Sequence, residues 1–151
     1  MGKAIAIDGP SASGKSTVSK GVAAALGYIY VDSGALYRGV TWQAIRKGVS
    51  TRDADAVIES MHDADWNFFV HDGAAVFSID GDVPVQELRE KNVRESVADV
   101  AAIPIVGAPP LPANHELQAD EPRAVAKLVA TRSFRKRARE EYGPRDWRLH
   151  R

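Results

Sequence analysis

Cysteine is absent from this 151-residue chain, which closes off disulfide frameworks and thiolate metal sites. Long apolar runs are absent too. Nothing approaches the eighteen consecutive apolar residues of a membrane-crossing helix. The opening apolar stretch is short and closed by Asp8, unlike a secretory leader. Internal repeats are lacking, and so is net charge: 20 Lys and Arg balance 20 Asp and Glu. That balance conceals a split. Residues 1–122 carry 10 basic and 17 acidic side chains, a net −7, whereas residues 123–151 carry 10 and 3, a net +7. So sharp a reversal marks the tail as a segment of different character. With few aromatics to stack bases, its positive charge alone does not make a nucleic-acid site. What remains is ordinary: 44% hydrophobic and 26% charged residues, the composition of one soluble domain, expected to be cytoplasmic and monomeric.

Residues 3–8 form an Ile- and Ala-rich run halted by Gly9-Pro10, which reads as a buried strand entering a turn. Residues 15–26 set Val18, Val22, Ala25 and Leu26 at helical spacing, with Gly27 as the stop. Residues 28–31 read as a second strand. Residues 33–47 read as a helix with Leu36, Val40 and Ala44 on one face and Gly48 at its end. Strand, loop, helix, strand, helix is the order of a parallel α/β unit. A further helix is expected over residues 53–64, and then the period changes to two. Trp66, Phe68 and Val70 alternate, Val76 and Ser78 alternate with Phe77 and Ile79, and Asp72-Gly73 lies between as a hairpin turn, with Asp80-Gly81 as the next. The fold class expected is therefore α/β, a parallel sheet with a small antiparallel sheet inserted, its core taking Trp66, Phe68 and Phe69. Residues 86–102 read as a helix broken near Lys91. Five prolines between positions 104 and 122 exclude a long helix or strand there. Residues 124–142 suit a basic helix with Val125, Leu128 and Val129 as its apolar stripe, and no order is expected past Gly143-Pro144.

Two segments carry chemistry. Gly9-Pro10-Ser11-Ala12-Ser13-Gly14-Lys15-Ser16 is the Walker A pattern, set between a strand and a helix as its mechanics demand. The glycines let successive backbone N–H groups turn toward phosphate, and the helix adds its positive end. Lys15 neutralises β- and γ-phosphate charge, and the Ser16 hydroxyl can ligate Mg²⁺. The pattern alone implies a nucleoside triphosphate and nothing finer. One strand later comes Tyr30-Val31-Asp32-Ser33-Gly34-Ala35-Leu36-Tyr37-Arg38. Asp32 and Ser33 close the strand at its carboxyl edge, where parallel sheets bind ligands. Ser33 suits a helix N-cap, Arg38 can fork onto a phosphate, and Tyr37 can line a base or sugar. No Asn-Lys-x-Asp segment is present, which argues against a regulatory GTPase.

These segments closely resemble the two N-terminal signatures of bacterial cytidylate kinases, and Trp42 and Ile79-Asp80-Gly81-Asp82-Val83 are similar to the same family. The resemblance implies a P-loop nucleoside monophosphate kinase fold, with the antiparallel insert, at residues 50–85, as the monophosphate-binding region. It implies transfer of the γ-phosphoryl group of ATP, with Mg²⁺, to CMP or dCMP, giving CDP or dCDP. Carried onto matching positions, Gly9, Pro10, Ser11, Ala12, Ser13, Gly14, Lys15, Ser16 and Thr17 would hold ATP, with Lys15 catalytic and Ser16 on the metal. Asp32, Ser33, Tyr37 and Arg38 would hold the acceptor. Two other readings stay open: an ATP-binding fragment without turnover, and a P-loop kinase of another small metabolite. The resemblance covers residues 3–106, a partial kinase domain. Ala98 and Gly107 stand where the family has a Ser and an Arg that help to read cytosine. Beyond Val106 its Gly-Arg-Asp-x-Gly signature and Arg-rich lid go unmatched. Gly143-Pro144-Arg145-Asp146 lacks a strand before it, and the basic run 132–139 reads as a solvated face. The expectation is a chain truncated, or diverted by a shifted reading frame, after Val106, with residues 107–151 a poorly ordered Pro-rich and then basic tail.

Overall fold

The computed structural model describes Ile5, Ile7, Gly9, Pro10, residues 12–104 and the backbone of residues 125–128. Helix α1 spans Lys15–Leu26, strand β1 Ile29–Asp32, helix α2 Ser33–Arg46 and helix α3 Ala54–His62. Strands β2 (Trp66–His71) and β3 (Ala74–Ile79) follow, then a 3-10 turn at Glu87–Arg89, helix α4 (Lys91–Ala102) and strand β4 (Val125–Leu128). The strand expected over residues 3–8 lies outside the described residues apart from Ile5 and Ile7, as does the tail on either side of β4.

Among the described residues, one four-stranded sheet runs in the order β2-β3-β1-β4. β1 and β4 are parallel over four pairs, Ile29 opposite Val125 through Asp32 opposite Leu128. β2 and β3 are antiparallel over six pairs, joined by Asp72-Gly73. Both turn residues have positive φ, 48° and 71°, the backbone a two-residue hairpin needs to match strand twist. The hairpin meets β1 at a single parallel pair, Tyr30 with Ala74, where the Tyr30 N–H donates to the Gly73 carbonyl at 2.8 Å. The α/β class read from the sequence thus holds, and the antiparallel pair is continuous with the parallel one. Val125–Leu128 form a strand where the sequence suggested a basic helix and a poorly ordered tail. Four backbone pairs along β1 outweigh the weak helical preference of so short an apolar stripe.

α2 is the centre of the core because it is apolar on more than one side. Tyr37, Val40 and Ala44 pack with Val57 and Met61 of α3 and with Val100 and Ile103 at the end of α4. Leu36 packs with Phe77, Ile79 and Leu88. Thr41, fully buried, satisfies its hydroxyl on the Tyr37 carbonyl at 2.8 Å. Two Asp residues start helices: Asp32 accepts from Ala35 N–H at 3.2 Å to cap α2, and Asp53 accepts from Ala56 N–H at 3.1 Å to cap α3. Ser33, read above as the α2 cap, is instead its first helical residue. The expected break near Lys91 falls at Glu90, whose ψ of 151° separates the 3-10 turn from α4.

Two expectations about packing reverse. The Val18–Leu26 stripe of α1 faces outward, Val18 57% and Leu26 53% exposed, whereas Ser19 and Ala23 are buried. The small face lies closest to β1, and Ser19 tolerates burial because its hydroxyl donates to the Lys15 carbonyl at 2.6 Å. Phe69 leaves the core as well. Period-two alternation turns Trp66 and Phe68 onto Phe77 and Phe69 to the other face of the hairpin.

Asp80, in the turn after β3, pins the hairpin to the end of α2. Its carboxylate accepts from Asp65 N–H at 2.9 Å, Gln43 Nε2 at 3.0 Å and Arg46 Nη2 at 2.6 Å, with Lys47 Nζ 3.8 Å away. The Asp65 N–H first, then Gln43, and then the two cations, more than offset partial desolvation and lower its pKa. A lowered carboxylate pKa adds stability that is present above the unfolded value of about 3.9 and lost as pH falls through the folded value. Asp80→Asn should therefore unfold at a lower temperature than wild type at neutral pH. The two melting curves should converge only once pH falls below the lowered folded value, a trend that thermal melts from acid to neutral pH will check.

Candidate functional site

The turn into α1 is built from left-handed residues. Ala12 has φ 62° and Gly14 φ 81°, and Ser13 N–H closes back on the Pro10 carbonyl at 3.4 Å. Glycine takes the left-handed region freely, but Ala12 holds it at a cost of about 1 kcal/mol. Gly14 is the α1 N-cap and offers no side chain to the first-turn N–H groups, and no acid sits in that turn. The positive end of the helix is therefore left uncompensated for an anion from outside. Gly9 serves by its smallness: a Cβ there would lie 3.1 Å from Ser13 Oγ and 3.6 Å from the Lys15 stem. Lys15 uses that space to fold back across the loop, its ammonium donating to the Gly9 carbonyl at 2.6 Å and to the Pro10 carbonyl. The cation is thus fixed at the mouth of the turn. Ser16 and Thr17 follow in the exposed first turn. Ser11 and Asp8 lie outside the described residues.

A second group gathers at the carboxyl end of β1. Asp32 divides its carboxylate, one oxygen capping α2 and the other accepting from Arg38 Nη2 at 3.3 Å. Both side chains are about one-third exposed. Gly34 makes the pairing possible, since a Cβ there would stand 3.0 Å from Arg38 Nη1 and 3.1 Å from Asp32 Oδ1. Because Asp32 takes the capping role, the Ser33 hydroxyl is left buried without a hydrogen-bond partner among the described residues. An orphaned buried hydroxyl is costly unless something else satisfies it. Tyr37, expected at the acceptor, is 9% exposed and packed in the α2–α3–α4 core; the helical period turns its ring inward with Val40 and Ala44.

Between the two groups lies Tyr30, which opens the second motif but was given no role there. Tyr30 lies in β1, 7% exposed. Its phenol feels the Ser16 side chain and the charges of Asp32 and Arg38. Burial raises its pKa most, Asp32 adds to that, and Ser16 and Arg38 oppose it, so the phenol stays protonated through the neutral range. Strand alternation could have found it, because Tyr30 and Asp32, two apart, share a face. Among the described residues no three His, Cys, Asp or Glu cluster as a metal site, and no helix is long and apolar enough to cross a membrane.

Comparison with known proteins bears on this arrangement. The chain is 42% identical over 98 residues to a cytidylate kinase of Pediococcus pentosaceus, covering 65% of this chain and 43% of that protein. It is 45% identical over 102 residues to that of Limosilactobacillus fermentum, covering 68% and 45%. With that of Streptococcus mutans it shares 41% identity over 108 residues, covering 70% and 48%. The chain thus spans less than half the length of these curated relatives. The family model described as cytidylate kinase matches residues 5–133, past Val106, where the motif resemblance ends, and through β4. With the phosphate turn, the Asp32–Arg38 pair and β4 all inside that match, the chain belongs to the cytidylate kinase family.

Proposed function

We propose that the chain binds ATP with Mg²⁺ at the turn around Lys15 and directs its γ-phosphoryl group to CMP or dCMP held near Asp32, Ser33 and Arg38, as a cytoplasmic monomer. The observation that carries this reading is the Ser33 hydroxyl, buried and without a partner among the described residues, beside the Arg38–Asp32 pair. A polar ligand arriving there gains a hydrogen bond at a group already desolvated. The names of the relatives supply the acceptor, a cytidine monophosphate.

The residues suit ATP and Mg²⁺. A turn with two left-handed residues and an uncompensated helix start presents N–H groups to phosphate oxygens. Mg²⁺ keeps most of its waters and needs only one or two protein ligands beside phosphate, which the Ser16 hydroxyl satisfies. When bound, the metal neutralises charge on the phosphates. Lys15 does the same from the loop side, and Arg38 can leave Asp32 to grip the acceptor phosphate. Thr17 adds a second hydroxyl to the first turn, and Ser11 and Ser13 line the loop in sequence.

A coupled assay with ATP, Mg²⁺ and CMP, dCMP, UMP or AMP tests the proposal. Turnover confined to the two cytidine nucleotides supports it. ATP uptake without turnover on any acceptor favours the second reading, a nucleotide-binding fragment; this reading draws on Lys15 and Arg38, both already engaged by protein oxygens, where transfer needs cations around the moving group. Arg38→Ala should weaken CMP binding about 10- to 100-fold, the worth of a charge-assisted pair. Its ATP affinity should stay within about twofold. Equal losses for both nucleotides, measured by calorimetry, would remove Arg38 from the acceptor role.

A further inference from the structure

We propose that Asp32 is a positioning residue and not a ligand of the acceptor: it parks the Arg38 guanidinium while the site is empty and yields it to a phosphate of higher charge. The inference rests on the phosphoryl-transfer reading above and fixes which member of the Asp32–Arg38 pair moves.

Helix α2 carries two arginines that are held very differently. Arg46 is clamped. Its Nη2 donates to Asp80 at 2.6 Å and its Nη1 to Asp82 at 2.7 Å, and its guanidinium lies 4.4 Å from the centre of the Trp42 ring. Arg38 has a single bond to Asp32, 3.3 Å long, from Nη2 alone. Charge-assisted bonds of this kind run to about 2.7–2.9 Å, and the strongest carboxylate grip uses two of them. The Arg38 pair is thus at the weak end of its kind, with about one-third of each side chain open to water. Among the described residues no other carboxylate pairs with Arg38.

Asp32 cannot follow the guanidinium when it leaves. Its other carboxylate oxygen accepts from Ala35 N–H at 3.2 Å, and its backbone, with φ −94° and ψ 98°, has the extended form of an N-cap. Losing that cap would cost about 1 kcal/mol, whereas an exposed ion pair is worth about 0.2–1 kcal/mol. The cap therefore anchors Asp32, and the arginine, on its long side chain, is the member that moves. Gly34 leaves room for the parked state, since a Cβ there would crowd Arg38 Nη1 and Asp32 Oδ1 alike. A carboxylate carries one negative charge, but a phosphate monoester carries about 1.5–2 at neutral pH and has three acceptor oxygens. A guanidinium placed between the two goes to the phosphate, where it can form two parallel bonds in place of one. Asp32 is then a competitor. It keeps Arg38 close to its work, and the strength of its hold is subtracted from the affinity for the acceptor phosphate.

Asp32→Asn keeps the cap, because an amide oxygen accepts the Ala35 N–H as a carboxylate does, and removes the charge that holds Arg38. Calorimetry on the full chain would measure CMP and cytidine binding. Asp32→Asn should bind CMP about threefold more tightly than wild type, one exposed ion pair's worth, with cytidine, which has no phosphate, bound as before. Asp32→Ser, a second cap without charge, should reproduce the gain if Asp32→Asn folds poorly. In an Arg38→Ala background the same change should add nothing, since no guanidinium is left to release. Weaker CMP binding in Asp32→Asn overturns the proposal and makes Asp32 a ligand of the acceptor or a brace for Arg38, leaving the phosphoryl-transfer reading intact. Unchanged CMP binding overturns it too. So does a gain of the same size for cytidine, or one that persists without Arg38, which plain repulsion between carboxylate and phosphate produces. If wild type takes up no CMP, the transfer reading fails and this proposal fails with it.

Discussion

Lys15→Ala should lower ATP affinity about 100-fold and phosphoryl transfer by a factor of about 10³ or more, with the fold intact. Its ammonium is the one side-chain cation that the described loop draws across its own mouth, held on the Gly9 and Pro10 carbonyls. Under the proposed function, a bound triphosphate would replace those two carbonyls by phosphate oxygens, exchanging neutral acceptors for charged ones. Hydrogen bonds to charged groups are worth about 1.5–3 kcal/mol each, and two of the weaker kind already give a factor of about 100 in affinity. In the proposed transfer, charge would then build on the transferring phosphoryl. Loss of one preorganised positive or hydrogen-bonding group costs roughly another 10²–10³ in rate. Titration calorimetry reads the first effect and the coupled assay the second. Circular dichroism separates both from unfolding, because Lys15 lies at a partly exposed helix start rather than in the core. Unchanged transfer in this variant would take the loop out of the mechanism.

The largest effect on stability is expected where α2 meets the hairpin. Gly39 lies in the interior of α2, where alanine ordinarily improves a helix by about 1 kcal/mol. Here a Cβ would come within 2.8 Å of Phe77 Cε2 and Cζ and 3.3 Å of Trp66 Cη2. Phe77 cannot easily retreat: it is 7% exposed, packed with Leu36, Ile79 and Leu88, and its ring centre is 5.5 Å from that of Trp66. Trp66 is held in turn by a bond from its Nε1 to the Met61 carbonyl at 3.1 Å. Overpacking of a fixed core costs about 1–3 kcal/mol, so Gly39→Ala should destabilise the protein by about 1 kcal/mol net of its helical gain. Phe77→Ala alone should cost about 3–5 kcal/mol. In that background the obstacle is gone, and Gly39→Ala should become neutral or stabilising by up to about 1 kcal/mol. Denaturant melts of the four proteins will show the reversal. Simple additivity would mean that the two residues are not in conflict.

Much of this arrangement was legible in the chain. Asp72-Gly73 and Asp80-Gly81 announce their turns because each requires positive φ at both positions, and each has it. The glycine-rich loop and the helix after it were readable for the same reason: few residues tolerate that backbone. Apolar period gave α2 its buried face, Leu36, Val40 and Ala44. Four things were not legible. The exposed Val18–Leu26 stripe shows that periodicity finds an amphipathic helix without saying which face meets the sheet; at α1 the smaller residues do, because they allow close approach. The choice between Asp32 and Ser33 as α2 cap turns on one residue of register, and both are good caps. The fate of Tyr37 was decided by tertiary packing from α3 and α4, which lie far along the chain. β4 escaped for a related reason, since only the edge of β1 makes Val125–Leu128 a strand.

That edge has a consequence for how the chain assembles. Ile29 is matched with Val125, so the central strand waits for a partner roughly a hundred positions away, and closing so long a loop is slow relative to local contacts. The α2–hairpin unit, assembled from near neighbours, can form as soon as its residues are synthesised. β1 is completed on its far side last. During that interval the edge of β1 that pairs with Val125–Leu128 lacks this neighbour, while Asp32 already caps α2.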